Sequence, residues 1–229
     1  VSRSVPEDKI SLIYNWIDET VVVPVDRPDN LLCSRYGIDP DRFIITHCGN
    51  IGLSQNLEMV VDIAAELGKD LPDVEFIFIG DGGWRENIET YLRGKGVSNV
   101  RMLPFQPYED IAHVMSLGDA SLVCSKRNVG TSSFPSKTWS IMSAARPVLV
   151  SFDINSELCG IINDSQAGLC SDAEDKQALI DNILVLYNDR DKARQMGRNG
   201  RAYIEQNLTR KAATSQYYNL LVNMSEKRH

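Results

Sequence analysis

The 229-residue chain is 43% hydrophobic and 24% charged, ordinary for a soluble globular protein and long enough for one large α/β domain with a sizeable core. A formal net charge of −7 argues against nucleic acid as a partner, because that footprint is a basic face. No stretch approaches the roughly 20 apolar residues of a membrane helix, and the five cysteines lack CxxC spacing, so they read as free thiols in a reducing compartment, not as a metal site.

In chain order, the ISLIY run at 10–14 reads as a strand, followed by the NWID segment at 15–18 and an irregular stretch, not by a companion helix. Short apolar, β-branched runs then predict strands at 42–47, 74–79, 100–103, 120–124 and 147–151. Nearly continuous apolarity is what strands covered on both faces require. Helical spacing fills the intervals at 56–67, 84–95, 107–117, 135–145 and 155–163, with Pro107 and Pro135 suited to the first turn of their helices. From Glu174 to Met224 helix follows helix, with breaks expected near Asn188, Gly197 and Thr209, the last an N-cap. This alternation predicts an α/β fold, a Rossmann-like, doubly wound parallel sheet with extra C-terminal helices.

Ligands of such sheets gather outside the carboxyl ends of the strands. After the first long strand comes Cys48-Gly49-Asn50-Ile51-Gly52-Leu53-Ser54. Its two glycines let backbone approach a ligand, and Ser54 suits the cap of the next helix, whose N-terminus attracts phosphate. A plain turn explains the same residues, and a tight turn also explains Gly80-Asp81-Gly82-Gly83. The 125–137 segment is long for a βα loop, polar, and carries Lys126, Arg127 and Lys137. Lys137 falls where a helix dipole disfavours a cation unless an anion offsets it. His47 and His113 have no carboxylate or serine at a diagnostic spacing and read as structural or surface residues.

Taken in order, GNIGLSQNLE, FIFIGDGG, VRMLPFQP, DASLVCS and PSKTWSIMSAARPVLVS, then Ser156-Glu157 and Ala167-Gly168-Leu169, cover nearly the whole chain. This series resembles the C-terminal domain of family-four retaining glycosyltransferases of the GT-B fold, in the branch of bacterial capsule, O-antigen and colanic-acid clusters. NWID resembles that family's crossover between its two Rossmann-like domains.

The resemblance implies a domain that binds a nucleotide-diphosphate sugar, carrying UDP or GDP. Gly49, Asn50, Gly52, Leu53 and Ser54 would lie under the diphosphate, while Lys126, Arg127 or Lys137 neutralises it without a metal ion or other cofactor. Leu103, Pro104, Phe105 and Gln106 would meet the base largely through backbone. Ser132, Ser133, Phe134, Ser136 and Ser140 would face the sugar and ribose. Much of the family has two glutamates eight positions apart, and alignment on Met142 and Arg146-Pro147-Val148 puts Ser132 and Ser140 there. A neutral serine is a weaker hydroxyl partner than a carboxylate. The Pro-Ser-Lys order resembles a sub-branch that uses a lysine here, which gives Lys137 part of that work.

The same resemblance implies three units: residues 1–18 as crossover and remnant strand of an absent N-terminal domain, 19–208 as the donor domain, and 209–229 as a helix crossing back. Catalytic groups and the glycan or polyprenyl-linked acceptor would belong to the absent domain, so this piece is expected to bind donor without transferring it and to expose apolar surface. The expected location is cytoplasmic, with the full-length protein peripheral at the inner face of the membrane. Two other readings compete with this one. A non-hydrolysing nucleotide-sugar epimerase needs acidic and histidine groups at the sugar, and Ser132 and Ser140 supply none. A receiver-like regulatory domain needs carboxylates after its first strand, where this chain has Thr46-His47-Cys48-Gly49.

Overall fold

The computed structural model describes residues 6, 9–128 and 134–226. Six strands, β1 Phe43–Cys48, β2 Val74–Ile79, β3 Val100–Leu103, β4 Ala120–Cys124, β5 Val148–Phe152 and β6 Gly168–Asp172, form one sheet in the order β3-β2-β1-β4-β5-β6. Every pairing is parallel. The expected α/β doubly wound sheet is therefore the one observed.

Alternate side chains of each strand enter opposite layers. Ile44, Ile77, Val123 and Val150 join one buried cluster, while Ile45, Phe76, Leu122 and Leu149 join the other. Burying a side chain of this size contributes about 1.5–3 kcal/mol, so a strand apolar on both faces is held from above and below. The helices α1 Leu31–Tyr36, α2 Leu57–Leu67, α3 Arg85–Lys95, α4 Ile111–Ser116, α5 Lys137–Ser143, α6 Glu157–Ser165, α7 Lys176–Asn188, α8 Arg190–Asn207 and α9 Arg210–Glu226 cover these layers. Among them α2, α3 and α7 supply side chains to one cluster and α4, α5 and α6 to the other, while α8 serves both, Ala193 in the first and Ile204 in the second.

Two expectations about these elements are corrected. Residues 10–14 form no strand, since no neighbouring strand offers them ladder hydrogen bonds. Tyr14 instead packs against Phe134 and Trp139, with ring centroids 5.9 and 5.8 Å away, and Ile17 makes an isolated bridge to Thr209. Helix α8 runs unbroken through Gly197, where the missing Cβ is the space α8 needs to approach Ala145: a Cβ there would lie 2.1 Å from the Ala145 carbonyl oxygen. Two elements were not anticipated. Helix α1 is capped by the Asn30 side chain, which accepts from the Leu32 N–H, and closes on left-handed Gly37. Strand β6 is a partly polar edge strand along β5.

Apolar side chains expected at the surface are there: Ile10, Leu12 and Trp16 near the start, and Tyr217, Tyr218, Leu221 and Met224 on α9, are exposed. No helix among the described residues is long and apolar enough to cross a membrane.

Candidate donor site

In this strand order the direction of winding switches between β1 and β4, so the helices that follow them, α2 and α5, pack on opposite faces of the sheet. The loop after β1 is a tight glycine turn. Gly49 has φ 115° and donates its N–H to the Ile79 carbonyl over 2.9 Å. The turn lies so close to the loop after β2 that a Cβ on Gly80 (φ 149°) would sit 1.9 Å from the Gly49 carbonyl oxygen. Arg85 fastens this rim by donating to the carbonyls of Gly80 at 2.5 Å and Leu103 at 3.0 Å.

Beyond the turn, Leu53–Gln55 make one 3-10 turn, Asn56 is left-handed at φ 51°, and α2 begins only at Leu57. Ser54 is therefore not the helix cap expected of it. Its carbonyl instead accepts the Lys126 N–H over 2.8 Å, joining the loops of β1 and β4, while the Gln55 side chain accepts the Gly52 N–H. Asn50 and Leu53 are exposed on the turn.

The three expected cations diverge. Lys137 turns towards the glycine turn: its Nζ lies 3.3 Å from His47 Nδ1, and His47 Nε2 lies 3.3 Å from the Asn50 carbonyl oxygen. The Lys137 side chain is half-buried near the Cys48 and Cys124 thiols, and desolvation lowers its pKa from the ordinary lysine value, an effect those thiols partly oppose. Burial raises both thiols to about 11, with Lys137 pulling the other way. The same burial, reinforced by the Lys137 charge, holds His47 well below the usual imidazole range, so it is neutral. Lys126 is half-buried and contributes its backbone tie. Arg127 points the other way, donating to Asp172 Oδ2 and the Ala173 carbonyl, both at 3.1 Å, beside β6. The carboxylate at the end of β6 attracts it away from the glycine turn.

Beside the turn lies an apolar cleft of about 110 Å³, lined by Cys48, Gly49 and Ile79 at the sheet rim, Phe105 to Tyr108 in the loop after β3, and Ile111, Val114 and Met115 on the α4 side. Of the four expected base contacts, Leu103 is buried and its carbonyl is engaged by Gly80 and Arg85. The Pro104 carbonyl accepts from Gln106, whose buried side chain also bonds Tyr36 and Arg35. Arg35 is in turn paired with Asp110 at 2.6 Å. Gln106 thus shapes the loop and leaves Phe105, 73% exposed, and Tyr108, 67% exposed, as flat rings at the cleft mouth.

Among the expected sugar contacts, Ser132 and Ser133 lie outside the described residues. Phe134 is stacked on Trp139 at 4.5 Å, which makes it a packing residue under the start of α5. Ser136 is exposed just before α5, and Ser140 is half-buried within it. His47 is the residue that the spacing argument missed. No partner stands near it in sequence, and the signal was its place in a polar Thr46-His47-Cys48 end to an otherwise apolar strand. His113 has the structural role expected of it, accepting the Leu31 N–H at the start of α1.

A doubly wound parallel sheet with a glycine turn, a cation and an apolar cleft at the carboxyl ends of its strands is the ligand-binding arrangement of a Rossmann-like α/β domain. The family model described as "Glycosyl transferases group 1" matches residues 33–203, and the chain belongs to that family. It is 26% identical over 225 residues to the Escherichia coli protein named "Putative colanic acid biosynthesis glycosyl transferase WcaI", covering 96% of this chain and 53% of that one. The fold matches HepE of Anabaena, solved with UDP-glucose, at TM-score 0.80 and 18% identity, over 96% of this chain and 59% of that one. It also matches the C-terminal domain of the glycosyl transferase group 1 protein LpcC of Francisella tularensis at TM-score 0.68 and 16% identity, over 85% and 99% of the two chains. The chain spans about half the length of the E. coli relative.

Proposed function

We propose that this chain is the donor-binding half of a retaining glycosyltransferase, holding a UDP- or GDP-sugar whose glycosyl group passes to a glycan or polyprenyl-linked acceptor in surface polysaccharide synthesis. The observation that carries this is the link of Lys137 through His47 to the Asn50 carbonyl of the glycine turn, next to an apolar cleft with two exposed aromatic rings at its mouth. A base enters the cleft between Phe105 and Tyr108, and the diphosphate lies over the turn within reach of the Lys137 ammonium. As the glycosyl bond breaks, negative charge accumulates on the departing diphosphate, and a partly desolvated ammonium stabilises it more than a fully solvated one does. On this reading the protein's own cation does the work of a divalent metal.

The acceptor and the groups that handle it belong to a second domain resting near α9 and residues 10–17, on the cytoplasmic face of a membrane that the full-length protein touches peripherally. This piece alone binds donor and leaves it intact. Support comes from the family membership and from the relative named for colanic acid synthesis.

Calorimetry with UDP, GDP and inorganic pyrophosphate tests the reading. One of the two nucleotides should bind, and Lys137→Met should weaken it by about 10-fold to 150-fold, the loss of one charge-assisted hydrogen bond of about 1.5–3 kcal/mol. Absence of binding by both nucleotides, or equal affinity in wild type and Lys137→Met, defeats it.

A further inference from the structure

His47 is wholly buried, and its two ring nitrogens meet two parts of the rim that lie far apart in sequence. An ammonium can only donate, so the nitrogen facing Lys137, Nδ1, must be the acceptor. The proton then resides on Nε2, which donates to the Asn50 carbonyl. Both partners thus select one neutral tautomer, and the ring is steadied by an edge contact with Phe78 at 6.0 Å between centroids. The Lys137 stem is flexible, and Cys48 and Cys124, the other titratable groups near its ammonium, are weak acceptors. Nothing else described at this place offers the ammonium a strong, directional acceptor.

We propose that His47 is the positioning residue of this site: clamped between the Asn50 carbonyl and the Lys137 ammonium, its imidazole holds that cation at a set place relative to the glycine turn. This rests on the reading of Lys137 as the diphosphate's partner. The consequence is a cation ordered before the ligand arrives, so that less side-chain freedom is lost on binding. His47 itself does not touch the ligand, because the Lys137 ammonium and the backbone of the turn occupy both of its polar atoms.

Two measurements decide it. Nitrogen-15 spectra of the histidine ring should show His47 protonated at Nε2, with an Nδ1 resonance that shifts in Lys137→Met. An Nδ1-protonated ring, or an Nδ1 signal indifferent to Lys137→Met, overturns the proposal whether or not a nucleotide binds. Calorimetry with UDP and GDP forms the second arm. His47→Leu should weaken the bound nucleotide about tenfold. His47→Asn, whose Oδ1 stands near the place of Nδ1, should recover most of that loss, and in the Lys137→Met background His47→Leu should add less than about twofold. Equal losses in both backgrounds would mean a merely structural histidine and would sink the idea. Should His47→Leu fail to fold, His47→Asn and Lys137→Met carry the comparison. Failure of both nucleotides to bind wild type would remove the donor reading, while the ring spectra still settle the clamp.

Discussion

Replacing Gly80 by alanine tests how the rim of the candidate site is built. A Cβ at this position would lie 1.9 Å from the Gly49 carbonyl oxygen and 2.9 Å from its carbon, and φ is 149°, a conformation side chains rarely adopt. The obstacle is backbone on both sides, so no rotamer change relieves it. The glycine turn must retreat by about 1 Å, stretching the 2.9 Å bond from the Gly49 N–H to the Ile79 carbonyl. Overpacking of this kind costs about 1–3 kcal/mol, and a non-glycine residue held at such a φ adds about 1–3 kcal/mol. The sum, about 2–6 kcal/mol, is a large part of a typical domain's stability. Denaturant unfolding should show the midpoint falling with the slope unchanged, and UDP or GDP affinity should fall with it because the turn has moved. Gly83→Ala is the control: nothing lies within 4 Å of a Cβ there, so its effect should stay within about 0.5 kcal/mol. If Gly80→Ala behaves like Gly83→Ala, the close approach of the two loops is wrong.

Other expectations are as direct. Gly197→Ala should destabilise by about 1–3 kcal/mol, because the clash with Ala145 outweighs the roughly 1 kcal/mol that alanine gains in a helix interior; a stabilised variant in the same unfolding assay would refute this. Arg127→Ala should change nucleotide affinity by less than about fivefold, since its partner is Asp172 in a largely exposed pair; a loss beyond about tenfold would show that Arg127 reaches the ligand. His47 is neutral when folded and takes up a proton when unfolded, so its contribution is present above about pH 6.5 and is lost as pH falls below that value. Stability should therefore drop by up to about 1.4 kcal/mol per pH unit there beyond the slope of His47→Asn. Parallel pH profiles for the two proteins would contradict it.

Much of this was legible in the chain because it depends on local chemistry. Apolar β-branched runs such as VEFIFI can only be strands buried on both faces, and the amphipathic stretches between them can only cover those faces, so the parallel sheet follows. The glycine turn after β1 was visible for the same reason: two glycines and an asparagine follow directly on a strand. Helix α1 was not anticipated, because six residues are too few to show a helical period and only its caps, Asn30 and Gly37, mark it.

Distance in sequence decided the remainder. Residues 10–14 have a strand's composition, yet a strand exists only where a neighbour supplies hydrogen bonds. Gly197 looks like a helix breaker until Ala145, packed against it, explains why a side chain is excluded. Lys137 stands out in sequence by its place at a helix start, but nothing in the sequence says where Arg127 points. The folded chain supplies their partners: His47, ninety positions before Lys137, holds one beside the glycine turn, and the carboxylate at the end of β6 draws the other away. Composition and period specify which faces are buried, whereas the partner of a long flexible charge is chosen by whichever acceptor the finished topology brings within a few ångströms.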